Sequence, residues 1–342
     1  MTGRLTPEKL IFGLTQAADP QLSPDGESVV YVVANNSAET KKTTSSLWFS
    51  KRDGSEKRRL TYGGKRVSNP RWSPDGSKVV FVSDRDGKNV LALLRFDGGD
   101  ATVLATHAGA IGVPAWSPDG ASIAYNVVVD PENPDGTPLP ADSAPPIRFT
   151  DRPDYKQDIR GYLAETRSQI FIVGLDGGEP RQVTNDRNDH LQPAWSPDGK
   201  TLAAALPMPN FMLGQLELID VATGTQTKVW PDDGVISVWA WTPDGSALLI
   251  NGEQTWNLEH NFVLQKVSSG ERQQLTTDFP ATPSGVAGVT SAALQPVWID
   301  DRTALFVAST KGRTGLYTID ALTGAIEEEE VWNARNTGFS TD

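Results

Sequence analysis

The stretch that decides the fold is PAWSPDGKTLAAAL, from Pro193 to Leu206. Ser196 raises two readings, a nucleophile held in a motif or the first residue of a turn. Pro at the second position of a turn presets its backbone angle. Asp bonds backbone two residues on, and Gly accepts a positive φ. The same device returns at Ser23 to Gly26, Ser73 to Gly76, Ser117 to Gly120 and, with Thr in place of Ser, at Thr242 to Gly245. Degenerate copies follow in VWIDDRT from Val297 and in GFSTD at the C-terminus. Successive starts lie 50, 44, 79, 46, 57 and 41 residues apart. A period of about 40–50 residues is the size of one four-stranded propeller blade.

Each period reads alike. In the quoted copy QPAWS is a strand, PDG a turn, TLAAAL a second strand, QLELIDV a third, ATG a turn and TQTKVW a fourth. The expectation is an all-β chain, a β-propeller of four-stranded antiparallel blades with six blades and the start of a seventh. A short helix over Lys9 to Leu14 precedes them, capped by Thr6 with Pro7 in its first turn. Residues 1–18 form the N-terminal arm. Residues 19–342 form the propeller, incomplete at its C-terminal end, with an insertion at 127–168 in the third blade. A nucleophile needs a base and an oxyanion hole, which five equivalent positions cannot all possess, so Ser196 reads as structural. The tryptophan before each turn, at Trp72, Trp116, Trp195, Trp241 and Trp298, reads as packing between blades.

Composition narrows the function. The chain carries 43 acidic against 31 basic residues, a net charge of −12, which argues against a nucleic-acid surface. It has no cysteine, which excludes disulfides and thiolate chemistry within it. No apolar run approaches the roughly 20 residues that span a bilayer. The opening lacks a basic segment followed by an apolar one, so a cytoplasmic location is expected. There is no Gly-x-Ser-x-Gly elbow. His107, His190 and His260 lack metal-ligand spacing and read as polar loop residues. No cofactor and no metal is expected. EEEE at Glu327 to Glu330 reads as a solvated outer strand.

Antiparallel order places first-to-second and third-to-fourth turns on one face. The longer, variable connections lie on the other, where function tends to sit. The 79-residue period is roughly 34 residues longer than a blade of about 45 requires. Its excess begins DPENPDGTPLPADSAPP and continues IRFTDRPDYKQDIRGYLAETR, with Arg148, Arg152, Arg160 and Arg167 beside Tyr155 and Tyr162. Arg and Tyr suit carboxylates and peptide groups. From the residues alone, ligand contact and a solvated loop with chance arginines both remain open.

Two stretches, LTPEKLIFGLTQAADPQLSPDGESVVYVV and FTDRPDYKQDIRGYLAETRSQIFIVGLDGGEPRQVT, resemble bacterial acylaminoacyl peptidases of the prolyl oligopeptidase family. The resemblance spans the chain. It implies a propeller that covers a C-terminal α/β-hydrolase domain, screens peptide substrates by size and helps hold a peptide terminus. Arg152, Tyr155, Gly161 and Tyr162 match the family pattern, and Arg160 falls on a less fixed position. The substrate-binding candidates are therefore Arg152, Tyr155, Arg160 and Tyr162, with no catalytic residue in this chain. The sequence ends at Asp342 inside a seventh turn, and the catalytic half is expected to lie outside it. The implied partners are that hydrolase domain and peptides, not nucleic acid or membrane, with self-association left open. The alternative is a stand-alone TolB-like propeller acting as a protein-interaction scaffold.

Overall fold

The computed structural model describes residues 6–332 apart from 63–65, 86, 97, 138–149, 151–152, 154, 158–160, 164, 177, 208–213, 231–233, 254–260, 278, 280–281, 284–293 and 311–312. The helix α1 (Pro7–Phe12) lies two residues earlier than the sequence reading placed it. The cause is its cap. Thr6 Oγ1 accepts from the Lys9 amide, which makes Pro7 the first helical residue.

Everything else of regular structure among the described residues is strand. The first blade is β1 (Thr15–Leu22), β2 (Ser28–Asn36), β3 (Thr43–Lys51) and β4 (Arg58–Arg59). Its first strand reaches into the segment read as an arm. The second is β5 (Val67–Trp72), β6 (Lys78–Arg85), β7 (Lys88–Arg95) and β8 (Thr102–His107). The third opens with β9 (Ala115–Trp116) and β10 (Ser122–Val129). The insertion then carries a separate hairpin, β11 (Lys156–Gln157) and β12 (Gly161–Tyr162). The third blade resumes with β13 (Arg167–Gly174) and β14 (Arg181–Gln182). The fourth is β15 (Leu191–Trp195), β16 (Thr201–Pro207), β17 (Gly214–Asp220) and β18 (Gln226–Lys228). The fifth is β19 (Val235–Trp241), β20 (Ala247–Glu253), β21 (Asn261–Lys266) and β22 (Arg272–Gln274). In the sixth, β23 (Thr282–Pro283) and β24 (Val297–Trp298) both pair with β25 (Thr303–Thr310), followed by β26 (Arg313–Asp320) and β27 (Ile326–Trp332). This is the six-bladed β-propeller fold with four-stranded antiparallel blades. The expected start of a seventh blade lies outside the described residues.

Two compact units divide the chain. One comprises Met1–Tyr125, Val173–Pro180 and Thr337–Asp342, and the other Asn126–Ile172 and Arg181–Asn336. Inside each, the same turn and the same tryptophan recur. Ser73 Oγ donates to Asp75 Oδ1 at 2.5 Å and accepts from the Lys78 amide at 2.9 Å. Asp75 Oδ1 also accepts from the Ser77 amide at 3.0 Å. Ser196 and Asp198 repeat this, with Thr201 and Lys200 as the amide donors. The tryptophan then reaches the previous blade. Trp72 Nε1 donates to the Gln21 carbonyl at 2.9 Å, Trp116 Nε1 to Arg71 at 3.0 Å, and Trp241 Nε1 to Ala194 at 3.1 Å. Each acceptor is the residue before the tryptophan position of the preceding repeat.

Middle strands are apolar on both faces because neighbouring sheets cover both. In the first unit Val30, Leu47 and Phe49 of the first blade share a core with Val79, Phe81 and Ala92 of the second. In the second unit Phe262 of the fifth blade meets Phe306 of the sixth edge to face, with centroids 4.8 Å apart. Each such side chain contributes about 1.5–3 kcal/mol by leaving water. The acidic run falls on β27, an edge strand, with Glu327, Glu328 and Glu329 exposed as expected.

Turn glycines separate backbone cost from packing cost. Gly270 (φ 69°) has open space where a methyl would sit. Gly324 (φ 75°) would drive a methyl into the Leu275 carbonyl of the fifth blade. Gly270→Ala should cost about 1–2 kcal/mol, the left-handed penalty alone. Gly324→Ala should cost about 1–3 kcal/mol more. Urea denaturation checks this, and equal losses would show that the turn of the sixth blade does not press on the fifth.

Candidate functional site

Of the four substrate-binding candidates, Tyr155 and Tyr162 are described, whereas Arg152 and Arg160 lie outside the described residues, as does Arg148. The hairpin pairs Lys156 with Tyr162 and Gln157 with Gly161. Gly161 adopts φ 71°, a conformation that costs any other residue. Tyr155 and Tyr162 are half exposed, their ring centroids 6.1 Å apart and tilted by 34°. Lys156 Nζ sits 5.5 Å from the Tyr162 ring centroid. An exposed aromatic pair with a cation beside it can stack on a planar or apolar ligand group and attract an anionic one. Beneath the pair, the Leu163 amide donates to the Tyr155 carbonyl at 2.9 Å, and the Leu163 side chain is buried.

Ser196 is structural. It is buried, and its hydroxyl is committed to Asp198 and to the Thr201 amide. His107 ends β8, with Nε2 3.1 Å from the hydroxyl of the fully buried Tyr125. Burial pulls the imidazole below its ordinary range and pushes the phenol up. His260 lies outside the described residues.

His190 lies on the loop before β15, as its position suggested, but it is not a solvated loop residue. It is wholly buried, with Nδ1 against Glu217 Oε1 and Nε2 3.0 Å from Asp186 Oδ1. Glu217 is 1% exposed on the third strand of the fourth blade, whereas the Asp186 side chain is a third exposed. Burial alone would drive the imidazole toward neutrality. Hydrogen bonds and charge from Glu217 and then Asp186 outweigh it, so His190 holds its proton above its ordinary value near 6.5. Burial likewise pushes Asp186 up, but the Asn188 amide and His190 bring it below its ordinary value. The sequence did contain a signal. Glu217 interrupts LEL, the apolar centre of a middle strand, and a buried carboxylate requires a partner.

The loop that carries His190 is stitched to the segment leaving the hairpin. Arg167 Nε donates to the Arg187 carbonyl at 2.6 Å, and the Arg187 guanidinium lies 3.2 Å from Glu165. Gln169 Nε2 donates to the carbonyls of Asp186 and Asn188, both at 3.0 Å. The Ser168 amide donates to Asp189 Oδ1 at 2.6 Å, and the His190 amide to the Ser168 carbonyl at 2.7 Å. Among the described residues no cluster of His, Cys, Asp or Glu has the arrangement of a metal site. Among the described residues no helix is long and apolar enough to cross a membrane.

Residues 9–133 match the model of the TolB beta propeller domain. The peptidase YuxL of Bacillus subtilis (strain 168), itself uncharacterized, is 28% identical over 195 residues, which cover 56% of this chain and 30% of that protein. An acylaminoacyl peptidase in complex with Z-Gly-Gly-Phe-chloromethyl ketone aligns with TM-score 0.68 at 16% identity, over 94% of this chain and 47% of its own. The β-propeller domain of the trilobed protease from Pyrococcus furiosus, which has an open velcro topology, aligns with TM-score 0.59 at 14% identity, over 92% of this chain and 83% of its own. The chain thus resembles the propeller portions of peptidases, and the structural matches establish the fold. It spans under half of the solved acylaminoacyl peptidase.

The His190 cluster makes stability depend on pH. A raised folded value for His190 means that its contribution is complete below about pH 6.5 and is lost as pH rises through that folded value. Asp186, lowered in the fold, contributes above about pH 3.8 and loses its share as pH falls through its folded value. His190→Gln should therefore cost about 3–5 kcal/mol near pH 6. That gap should narrow on the alkaline side. Urea titrations at several pH values test this, and a gap that stays constant into the alkaline range would contradict it.

Proposed function

We propose that this chain is the propeller portion of a serine peptidase similar to acylaminoacyl peptidases. It gates substrate access to an α/β-hydrolase domain and helps bind peptide at the insertion hairpin. The observation that carries this reading is the 28% identity to a peptidase over more than half of the chain. The exposed Tyr155 and Tyr162 support it, since they stand where the resemblance implies substrate contact. In this reading Tyr155 and Tyr162 flank the peptide, and Arg152 and Arg160 supply positive charge for its carboxylate. A guanidinium grips a carboxylate through two parallel hydrogen bonds, which Lys cannot reproduce. Peptides and the hydrolase domain are its partners, and the cytoplasm is its location.

A second reading, a TolB-like propeller serving as a protein-interaction scaffold, draws on the TolB match over residues 9–133. It requires no peptide terminus at the insertion and no hydrolase partner.

Calorimetry with N-acetylated peptides, each as free acid and as amide, separates the two. Arg152→Ala should weaken the free acids by about 10- to 150-fold, the worth of a charge-assisted hydrogen bond. The amides should be nearly unaffected, and Arg152→Lys should recover only part of the loss. If the acid-to-amide ratio is unchanged by Arg152→Ala, that residue is not a carboxylate receptor. If no peptide binds in either form, the scaffold reading gains.

A further inference from the structure

The cluster of Asp186, His190 and Glu217 lies in the same compact unit as the hairpin, and the peptide-binding reading gives it no role. An ionic triad with two of its members buried is an expensive way to hold a loop. Apolar side chains of similar volume often serve stability as well or better. What the triad adds is a loop position set by one proton.

Glu217, on β17, is fixed in the fourth blade and has almost no access to water. Asp186 sits on the loop and keeps a third of its side-chain surface in solvent. The imidazolium between them donates one N–H to each. When that proton leaves for solvent, the neutral ring has one N–H for the two carboxylates, and Asp186 is left with the Asn188 amide of its own loop and the Gln226 side chain. Glu217 cannot be hydrated where it stands, so it keeps the donor. Asp186 can be hydrated and turns outward. Its backbone carries Arg187 and Asn188, the residues that hold Glu165, Arg167 and Gln169 at the base of the hairpin. Among the described residues, the charged groups near the triad include Asp189 on the same loop, Lys228 opposite Glu217 in the β17–β18 register, and the stem residues Glu165, Arg167 and Arg187. Lys228 lies on the Glu217 side, which favours Asp186 as the carboxylate that moves.

We propose that Asp186, His190 and Glu217 form a positioning relay that fixes the stem of the Tyr155/Tyr162 hairpin, and that loss of the His190 proton frees the stem and weakens ligand capture in alkaline solution. The second half rests on the reading that the hairpin contacts peptide. The first half does not.

Hydrogen exchange on the whole chain, corrected for intrinsic rates, is followed from about pH 6 to about pH 9. Protection over residues 163–170 and 186–190 should fall by about tenfold or more as pH rises, while β20 keeps its protection. His190→Gln should show no such transition. Asp186→Asn, at a partly exposed position, guards against misfolding of the first variant and should leave the stem loosened at every pH. Binding of N-acetyl-Ala-Ala-Phe as free acid is measured in parallel and should weaken over the same range in the wild type alone. An unchanged stem across the range, or one transition shared by wild type and His190→Gln, overturns the relay even where the peptide binds. A stem transition with no peptide bound at any pH sustains the relay and refutes the hairpin as a peptide site.

Discussion

At three of the repeats, an indole N–H bonded to a carbonyl one blade back holds neighbouring blades in register. The bond runs from Trp72 to Gln21, from Trp116 to Arg71 and from Trp241 to Ala194. Each strengthens two constraints at once. It satisfies a partly buried donor, worth about 0.5–1.5 kcal/mol, and it fixes how far one sheet slides on the next. The turn immediately after the tryptophan completes the lock. Gly76, Gly120 and Gly245 each place their bare Cα side against Pro24, Pro74 and Pro197 of the preceding turn. A repeat thus binds its neighbour through a polar bond and a close backbone approach made by adjacent residues.

This explains what was legible in the sequence. The Ser-Pro-Asp-Gly turn and its tryptophan act within a few residues or at one fixed period, so their chemistry can be read from spacing. The helix and its Thr6 cap were legible too, but Pro7 rather than Lys9 is its first residue, because a Thr6 cap leaves Pro7 at the first helical position. The burial of His190 was not legible from its loop position, because its partner Glu217 lies 27 residues away on a different strand. Only the register of the fourth blade brings them together. The divided opening strand of the sixth blade escaped for a related reason. Thr282 and Val297 pair with the same strand, and local propensity says nothing about a shared partner. Tyr155 and Tyr162 came from resemblance, since an exposed aromatic pair has no periodicity to announce it.

The contrast between the two kinds of polar group is informative. The turn carboxylates sit at the surface and are held below their ordinary range first by a Ser hydroxyl and then by a backbone amide, as at Asp25 and Asp198. Such bonds preset a shape and stay ionised through any neutral range. The His190 cluster has the opposite design. His190 and Glu217 are buried, a histidine rather than a carboxylate stands at its centre with its proton held more tightly than usual by the two acids, and among the described residues it occurs once. Repetition marks what every blade needs for packing, and a single costly departure marks what one blade does differently.

The fourth blade is where that departure belongs on physical grounds. The insertion leaves the third blade between its second and third strands and returns through β13, so any load on the hairpin passes into residues 165–169. A two-residue ladder cannot hold an exposed aromatic pair steady unaided, since isolated hairpins are marginal in water. The stem must borrow rigidity from a neighbouring core. The route available is the loop 186–190, and the deepest fixed point on that route is Glu217, inside a middle strand bonded on both sides. An apolar contact there would have supplied rigidity at every pH. Choosing an acid–histidine–acid chain instead confines that rigidity to conditions in which the histidine is charged.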